Sequence, residues 1–150
     1  MNINTRIWKE IETIIEKDDK RFSIGPISEG NYLEWIAQIK GPEDSPYKNG
    51  VFTINIELNN DYPFNVPLIK FNTFIFHPNI DFDGTICISE LENWLPTYTI
   101  YFIIEKIYNL IKNPNFDDSY NPQIKHLYEK DKDSFEEIAN KYTELYAKIK

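Results

Sequence analysis

Cysteine is nearly absent from this chain: Cys87 is the only one in 150 residues. A single thiol cannot close an intramolecular disulfide, so packing has to hold the fold, and the reducing conditions of cytosol or nucleus are its natural setting. Long apolar runs are missing too. No stretch approaches the roughly 18 residues of a membrane span, and the opening MNINTRIWKE contains no signal-type apolar region, so a soluble, unprocessed chain is expected. Positive charge is in deficit, with 16 basic residues against 24 acidic ones and a net charge of −8. That field repels nucleic-acid phosphates and anionic lipid surfaces, so neither nucleic acid nor membrane is expected as a partner. One cysteine and two histidines without ligand spacing fall short of a zinc site, and no CxxC redox pair exists.

What the chain has in quantity is apolar surface. With 41% hydrophobic and 15% aromatic residues it can bury one sizeable core, and a single globular domain over residues 1–150 is expected.

Periodicity orders the elements. Ile7, Ile11, Ile14 and Ile15 recur at helical spacing between Arg6 and Glu16, with Lys9, Glu10, Glu12 and Glu16 assigned to the opposite, polar face. The period then becomes two: Leu33, Trp35, Ala37 and Ile39 form one stripe, and Phe52, Ile54, Ile56 and Leu58 form another after the turn-rich GPEDSPYKNG. These read as an antiparallel hairpin with a long loop. Pro63 and Pro67 bracket a turn before a further short strand.

Between Phe71 and Pro96 no long periodic segment survives, and long irregular segments in compact domains often carry function. Helical spacing returns from Thr99 to Lys112 and stops at Asn113-Pro114. Further helices follow through Ile124, Leu127 and Tyr128, then Phe135, Ile138, Ala139, Tyr142, Leu145 and Tyr146, behind a cap at Asp133 or Ser134. Helix, antiparallel strands, irregular segment and helices together predict an α+β sandwich.

The irregular segment contains HPNIDFDGTICIS, residues 77 to 89. Flanked by Ile86 and Ile88, Cys87 has the surroundings of an ordinary buried thiol. The residues alone favour that reading, with a catalytic nucleophile as the lesser alternative. A protease-like thiol would need a histidine base held against it, and spacing alone does not bring His77 or His126 to Cys87. Carriage of an acyl group as a thioester needs no strong base beside the sulfur, and an amide donor such as Asn79 suits the oxyanion.

His77-Pro78-Asn79, Gly84, Cys87 eight residues after Asn79, and Trp94 with Pro96 together resemble the ubiquitin-conjugating enzymes. The resemblance extends through Gly41-Pro42, Ser45-Pro46-Tyr47, Gly50-Val51-Phe52, Asp61-Tyr62-Pro63-Phe64 and Asn113-Pro114-Asn115 with Asp117-Asp118. It is greatest to broad-specificity members without terminal extensions. As an ordered set these motifs are specific, whereas HPN alone is weak.

The resemblance implies the family's fold: an N-terminal helix, a four-stranded antiparallel meander, an irregular active-site segment, a central helix and C-terminal helices. It implies that Cys87 accepts ubiquitin from an activating enzyme as a thioester at the surface and passes it to a substrate lysine with a RING-type or HECT-type ligase. ATP is consumed by the activating enzyme, and no metal or other cofactor is implied. Asn79 takes the oxyanion or loop-shaping role, Asp118 orients or deprotonates the incoming lysine, and His77 and Pro78 are architectural, with His77 not expected as a base. Phe64, Trp94, Pro96 and Arg6 fall at ligase-binding positions, Arg6 and Lys9 at activating-enzyme positions, and Ser23 on the backside surface. Glu105 and Asn109 fall on the face that meets donor ubiquitin.

The sequence also departs from those members. The segment from Cys87 to Trp94 is one residue shorter, Leu95 and Thr97 replace a serine and an alanine, and Val66 replaces the first of two adjacent prolines. Glu105 stands at a position that is apolar in those members, where a carboxylate is costly against an apolar surface. Activation by folded-back donor ubiquitin is therefore expected to be weakened or differently arranged. Two alternatives stay open: a conjugating enzyme for another ubiquitin-like modifier, and a noncatalytic ubiquitin-binding variant of the same fold.

Overall fold

The computed structural model describes residues 4–117 and 121–148. It opens with helix α1 (Thr5–Lys17), started by Asn4, whose side chain accepts the N–H of Ile7. Strands β1 (Phe22–Ser28), β2 (Asn31–Lys40), β3 (Val51–Glu57) and β4 (Leu68–Phe71) follow, forming one antiparallel sheet in the order β1-β2-β3-β4. The short turn of helix α2 (Ser89–Glu92) precedes α3 (Ile100–Lys112), α4 (Pro122–Lys130) and α5 (Lys132–Tyr146). This is the α+β arrangement that the sequence patterning predicts.

Register makes the core. Trp35 pairs with Ile56, Ala37 with Ile54 and Ile39 with Phe52, while Ile54 and Ile56 pair onward with Phe71 and Ile69. All eight are buried, so one face of the sheet is apolar across three strands. A slip of one residue would turn that whole face to water. Against the core lies α3, whose Ile100, Ile103, Ile104, Ile107, Leu110 and Ile111 are all buried. Each such side chain contributes about 1.5–3 kcal/mol relative to exposure. Thr99 caps the helix by accepting the N–H of Phe102, and the chain leaves it at Asn113, before Pro114.

Four features differ from what periodicity alone indicates. β1 has no place in the apolar alternation because FSIGPIS carries Gly25 and Pro26; as an edge strand it tolerates proline, and its register shifts between Pro26 and Ser28. The cap of α5 is Asp131, which accepts the N–H of Ser134 and also ends α4, so neither Asp133 nor Ser134 has that role. Leu145 and Tyr146 are exposed, since the inward positions of α5 are Phe135, Ala139 and Thr143.

The fourth feature is Glu10, which is buried and not on a solvated face. Its carboxylate accepts from Arg6 Nε at 2.9 Å, from the Tyr62 hydroxyl at 2.5 Å and from the backbone N–H of Ile100 at 2.7 Å. A negative charge there faces the N-terminal end of α3, where the helix dipole favours it. Burial, with the Glu10 charge beside it, pushes the Tyr62 hydroxyl well above the ordinary tyrosine range.

Candidate active site

The segment between β4 and α2 is irregular but not loose. Phe71 donates to Gly84 O at 2.9 Å, Asp81 to Thr85 O at 2.9 Å and Cys87 to Asn79 O at 2.9 Å. Isolated bridges join Ile80 to Ile86 and Lys70 to Thr85, so residues 77–81 run back along 85–87. Gly84 is required at the bend: its φ is +94°, and a Cβ there would lie 2.2 Å from Phe71 O. The HPN stretch and Cys87 are thereby held side by side through their backbones.

His77 is fully buried, and its ring fixes the segment from both nitrogens. Nδ1 accepts the N–H of Asn79 at 3.0 Å, which leaves Nε2–H to donate to Leu110 O at 2.8 Å. Both contacts fit the neutral Nε2–H tautomer. Burial lowers the pKa to about 4. With both nitrogens committed, His77 is a brace between the segment and α3, and it has no lone pair for base catalysis. Pro78 is buried beside it.

Asn79 is also fully buried. Its Nδ2 donates to Asn115 O at 2.5 Å and its Oδ1 accepts from Asn115 N at 2.8 Å, so the amide clamps the backbone that follows α3. Asn115 is a partner that the sequence alone does not identify, because 36 residues separate the two. Asp118 lies outside the described residues.

Cys87 retains 8% exposure. The thiol is thus recessed and not displayed at the surface, which corrects the expectation. Ile86 and Ile88 on either side are buried, and α2 folds back immediately after the cysteine. From the last residue of that turn, Glu92 Oε1 accepts from Cys87 Sγ at 3.7 Å. Glu92 itself is exposed, so the sulfur lies beneath a carboxylate that solvent reaches. Sequence reading missed Glu92, since nothing in its spacing distinguishes it from Glu90.

The other predicted positions form separate groups. Trp94 Nε1 donates to Pro63 O at 2.7 Å, tying the loop after α2 to the loop before β4, and its ring packs near Tyr62 and Tyr98. Arg6 donates to Pro96 O at 2.7 Å and to Tyr98 O while paired with Glu10. Phe64, Leu95 and Pro96 remain exposed around this junction, Phe64 at 76%. Phe64, Trp94, Pro96 and Arg6 therefore share one apex, though the guanidinium of Arg6 is already bonded within the fold. Lys9 is exposed on α1, and Ser23 is exposed on the edge strand β1.

Glu105 and Asn109 stand one turn apart on α3, with Asn109 exposed. Glu105 is bonded to Arg21 at 2.6 Å, and Arg21 also bonds Asp19 at 2.6 Å. Tyr101 donates to Asp19 at 2.5 Å, completing a network between the α1–β1 turn and α3. Arg21 holds the Asp19 carboxyl well below its usual range. The carboxylate of Glu105 is therefore ion-paired with Arg21 on that face of α3.

Comparison with known proteins agrees with this architecture. The family model for ubiquitin-conjugating enzymes matches residues 6–143. Among solved structures, the chain is similar to one from Plasmodium yoelii assigned as a ubiquitin conjugating enzyme, with 33% sequence identity, 100% of each chain covered and a TM-score of 0.88. No helix among the described residues is long and apolar enough to cross a membrane. The chain belongs to the ubiquitin-conjugating enzyme family.

Proposed function

We propose that the protein accepts ubiquitin from an activating enzyme as a thioester on Cys87 and transfers it to a substrate lysine with a ligase. The observation that carries this reading is the setting of Cys87: the chain's one thiol lies in a recess, hydrogen-bonded through its backbone to Asn79 O at 2.9 Å. A thioester there presents its carbonyl beside a rigid segment, as acyl transfer requires. The exposed apex of Phe64, Leu95 and Pro96 suits a small apolar ligase contact held in shape by Trp94 and Arg6. Lys9 on α1 and Ser23 on β1 are the positions proposed to meet the activating enzyme and a backside ubiquitin. Cytosol and nucleus are the proposed locations, and ATP is used by the activating enzyme alone.

The test is a charging reaction with ubiquitin, an activating enzyme and ATP, resolved on gels with and without reductant. Wild type is expected to form a reductant-sensitive adduct of one ubiquitin, Cys87→Ala none, and Cys87→Ser an adduct that resists reductant because it is an oxygen ester. Absence of any adduct with ubiquitin, alongside an active control enzyme, would reject the reading. An adduct formed only with another ubiquitin-like protein and its own activating enzyme would change the cargo, and none with any of them would leave the noncatalytic variant.

A further inference from the structure

We propose that Glu92 is a catalytic carboxylate of the transfer step, receiving the incoming lysine ammonium beside the Cys87 thioester and taking one of its protons. This rests on the thioester reading above. The starting observation is contact with the reacting atom: Glu92 Oε1 lies 3.7 Å from Cys87 Sγ.

That contact is built by the chain immediately after the cysteine. Ile88 O accepts the N–H groups of Leu91 and Glu92 at 3.2 and 3.3 Å, and Asn93 donates to Ser89 O at 2.8 Å. These bonds wind α2 into a single tight turn. Leu91 packs it against the core, and Trp94, two residues beyond it, is fixed to Pro63 O. Neighbouring Glu90 has a different partner, the hydroxyl of Ser89. The turn thus selects Glu92 to face the sulfur while leaving it open to solvent, where a substrate lysine arrives.

The chemistry of the site changes when the thiol is acylated. A free thiol offers its S–H to Glu92, and a thioester sulfur has no hydrogen to offer. The carboxylate then faces the scissile bond with acceptor capacity that a primary ammonium, with three N–H donors, can fill. At neutral pH a lysine with an ordinary pKa of about 10.4 is almost wholly protonated and has no lone pair for attack. His77 cannot supply the base, because both ring nitrogens are committed.

In the proposed step the ammonium passes one proton to Glu92. The neutral nitrogen forms the new bond to the thioester carbonyl carbon, the carbon–sulfur bond breaks, and the departing sulfur takes the second amine proton. Glu92 then releases its proton to water. The products are an amide and the free Cys87 thiol.

The experiment compares two nucleophiles on one charged enzyme. Wild type, Glu92→Gln and Glu92→Asp are loaded with ubiquitin, the activating enzyme is stopped, and the thioester is chased with free L-lysine or with 2-mercaptoethanol. Glu92 is exposed, so the variants are expected to keep the wild-type circular dichroism spectrum, and discharge is followed on the charged fraction of each enzyme alone, so that a change in charging does not enter the comparison. Glu92→Gln should discharge to lysine more slowly by on the order of 100-fold, the usual scale of general-base assistance. It should discharge to the thiol at a rate unchanged or raised, and Glu92→Asp should recover part of the lysine rate. Wild-type lysine discharge in Glu92→Gln, or equal losses toward both nucleophiles, would overturn the assignment and leave the thioester reading standing. A wild-type enzyme that never charges would remove both.

Discussion

The side-chain amide of Asn79 pairs in both directions with the backbone of Asn115, its Nδ2 donating at 2.5 Å and its Oδ1 accepting at 2.8 Å. A group that served only the oxyanion would not need this clamp. Asn79→Ala leaves a backbone N–H and C=O of Asn115 without their partner, at a cost of about 1–3 kcal/mol. A fall of that size in the unfolding free energy from urea melts, together with slower lysine discharge, is the expected outcome. Unchanged stability with the same loss of discharge would assign Asn79 to the oxyanion alone.

His77 makes stability depend on pH. Its folded pKa is depressed to about 4 from the ordinary 6.5. Below 6.5 the unfolded chain binds a proton that the folded one excludes, so stability is full above that value and declines as pH falls toward 4. The loss is on the order of 3 kcal/mol at most. Denaturant melts between pH 7 and 4 should show this slope, and His77→Gln, less stable at pH 7, should flatten it. An equal slope in His77→Gln would place the titrating group elsewhere. Asp19 titrates below this window, because Arg21 lowers its carboxyl.

Phe64 and Glu10 test opposite sides of one apex. Phe64 is exposed, so Phe64→Ala should leave thermal stability and charging within error while removing most ligase stimulation of discharge. Glu10→Ala leaves three donors without their acceptor, from Arg6, Tyr62 and Ile100, and should destabilise by about 3–5 kcal/mol. A Phe64→Ala enzyme fully stimulated by a RING-type ligase that acts on wild type would exclude this apex from docking.

Glu105 gives a fourth expectation. Glu105→Leu places an apolar group on the face proposed to meet donor ubiquitin and leaves Arg21 with Asp19. Ligase-stimulated lysine discharge should rise several-fold, with charging unaffected. No change would show that donor ubiquitin does not use this position.

Residues whose partners are near in sequence were legible, and those with distant partners were not. The six buried positions of α3 follow from spacing alone, as do the inward stripes of β2 and β3. Glu10 looks like one more charge on an amphipathic helix, because its partners Tyr62 and Ile100 lie 52 and 90 residues away. β1 was hidden by Gly25-Pro26, which an edge strand accepts. Leu145 and Tyr146 keep helical spacing beyond the point where α5 has core beneath it. At the site, the motif set pointed to Cys87, Asn79 and His77, but the recess of the thiol and the placement of Glu92 depend on how α2 turns back.

The most direct test of the account is to map the bond between ubiquitin and this protein. The charged species would be digested under acidic, nonreducing conditions and its cross-linked peptide identified by mass spectrometry. The ubiquitin C-terminus is expected on the peptide containing Cys87, lost on treatment with thiol. A bond to a lysine side chain with Cys87 unmodified would contradict it.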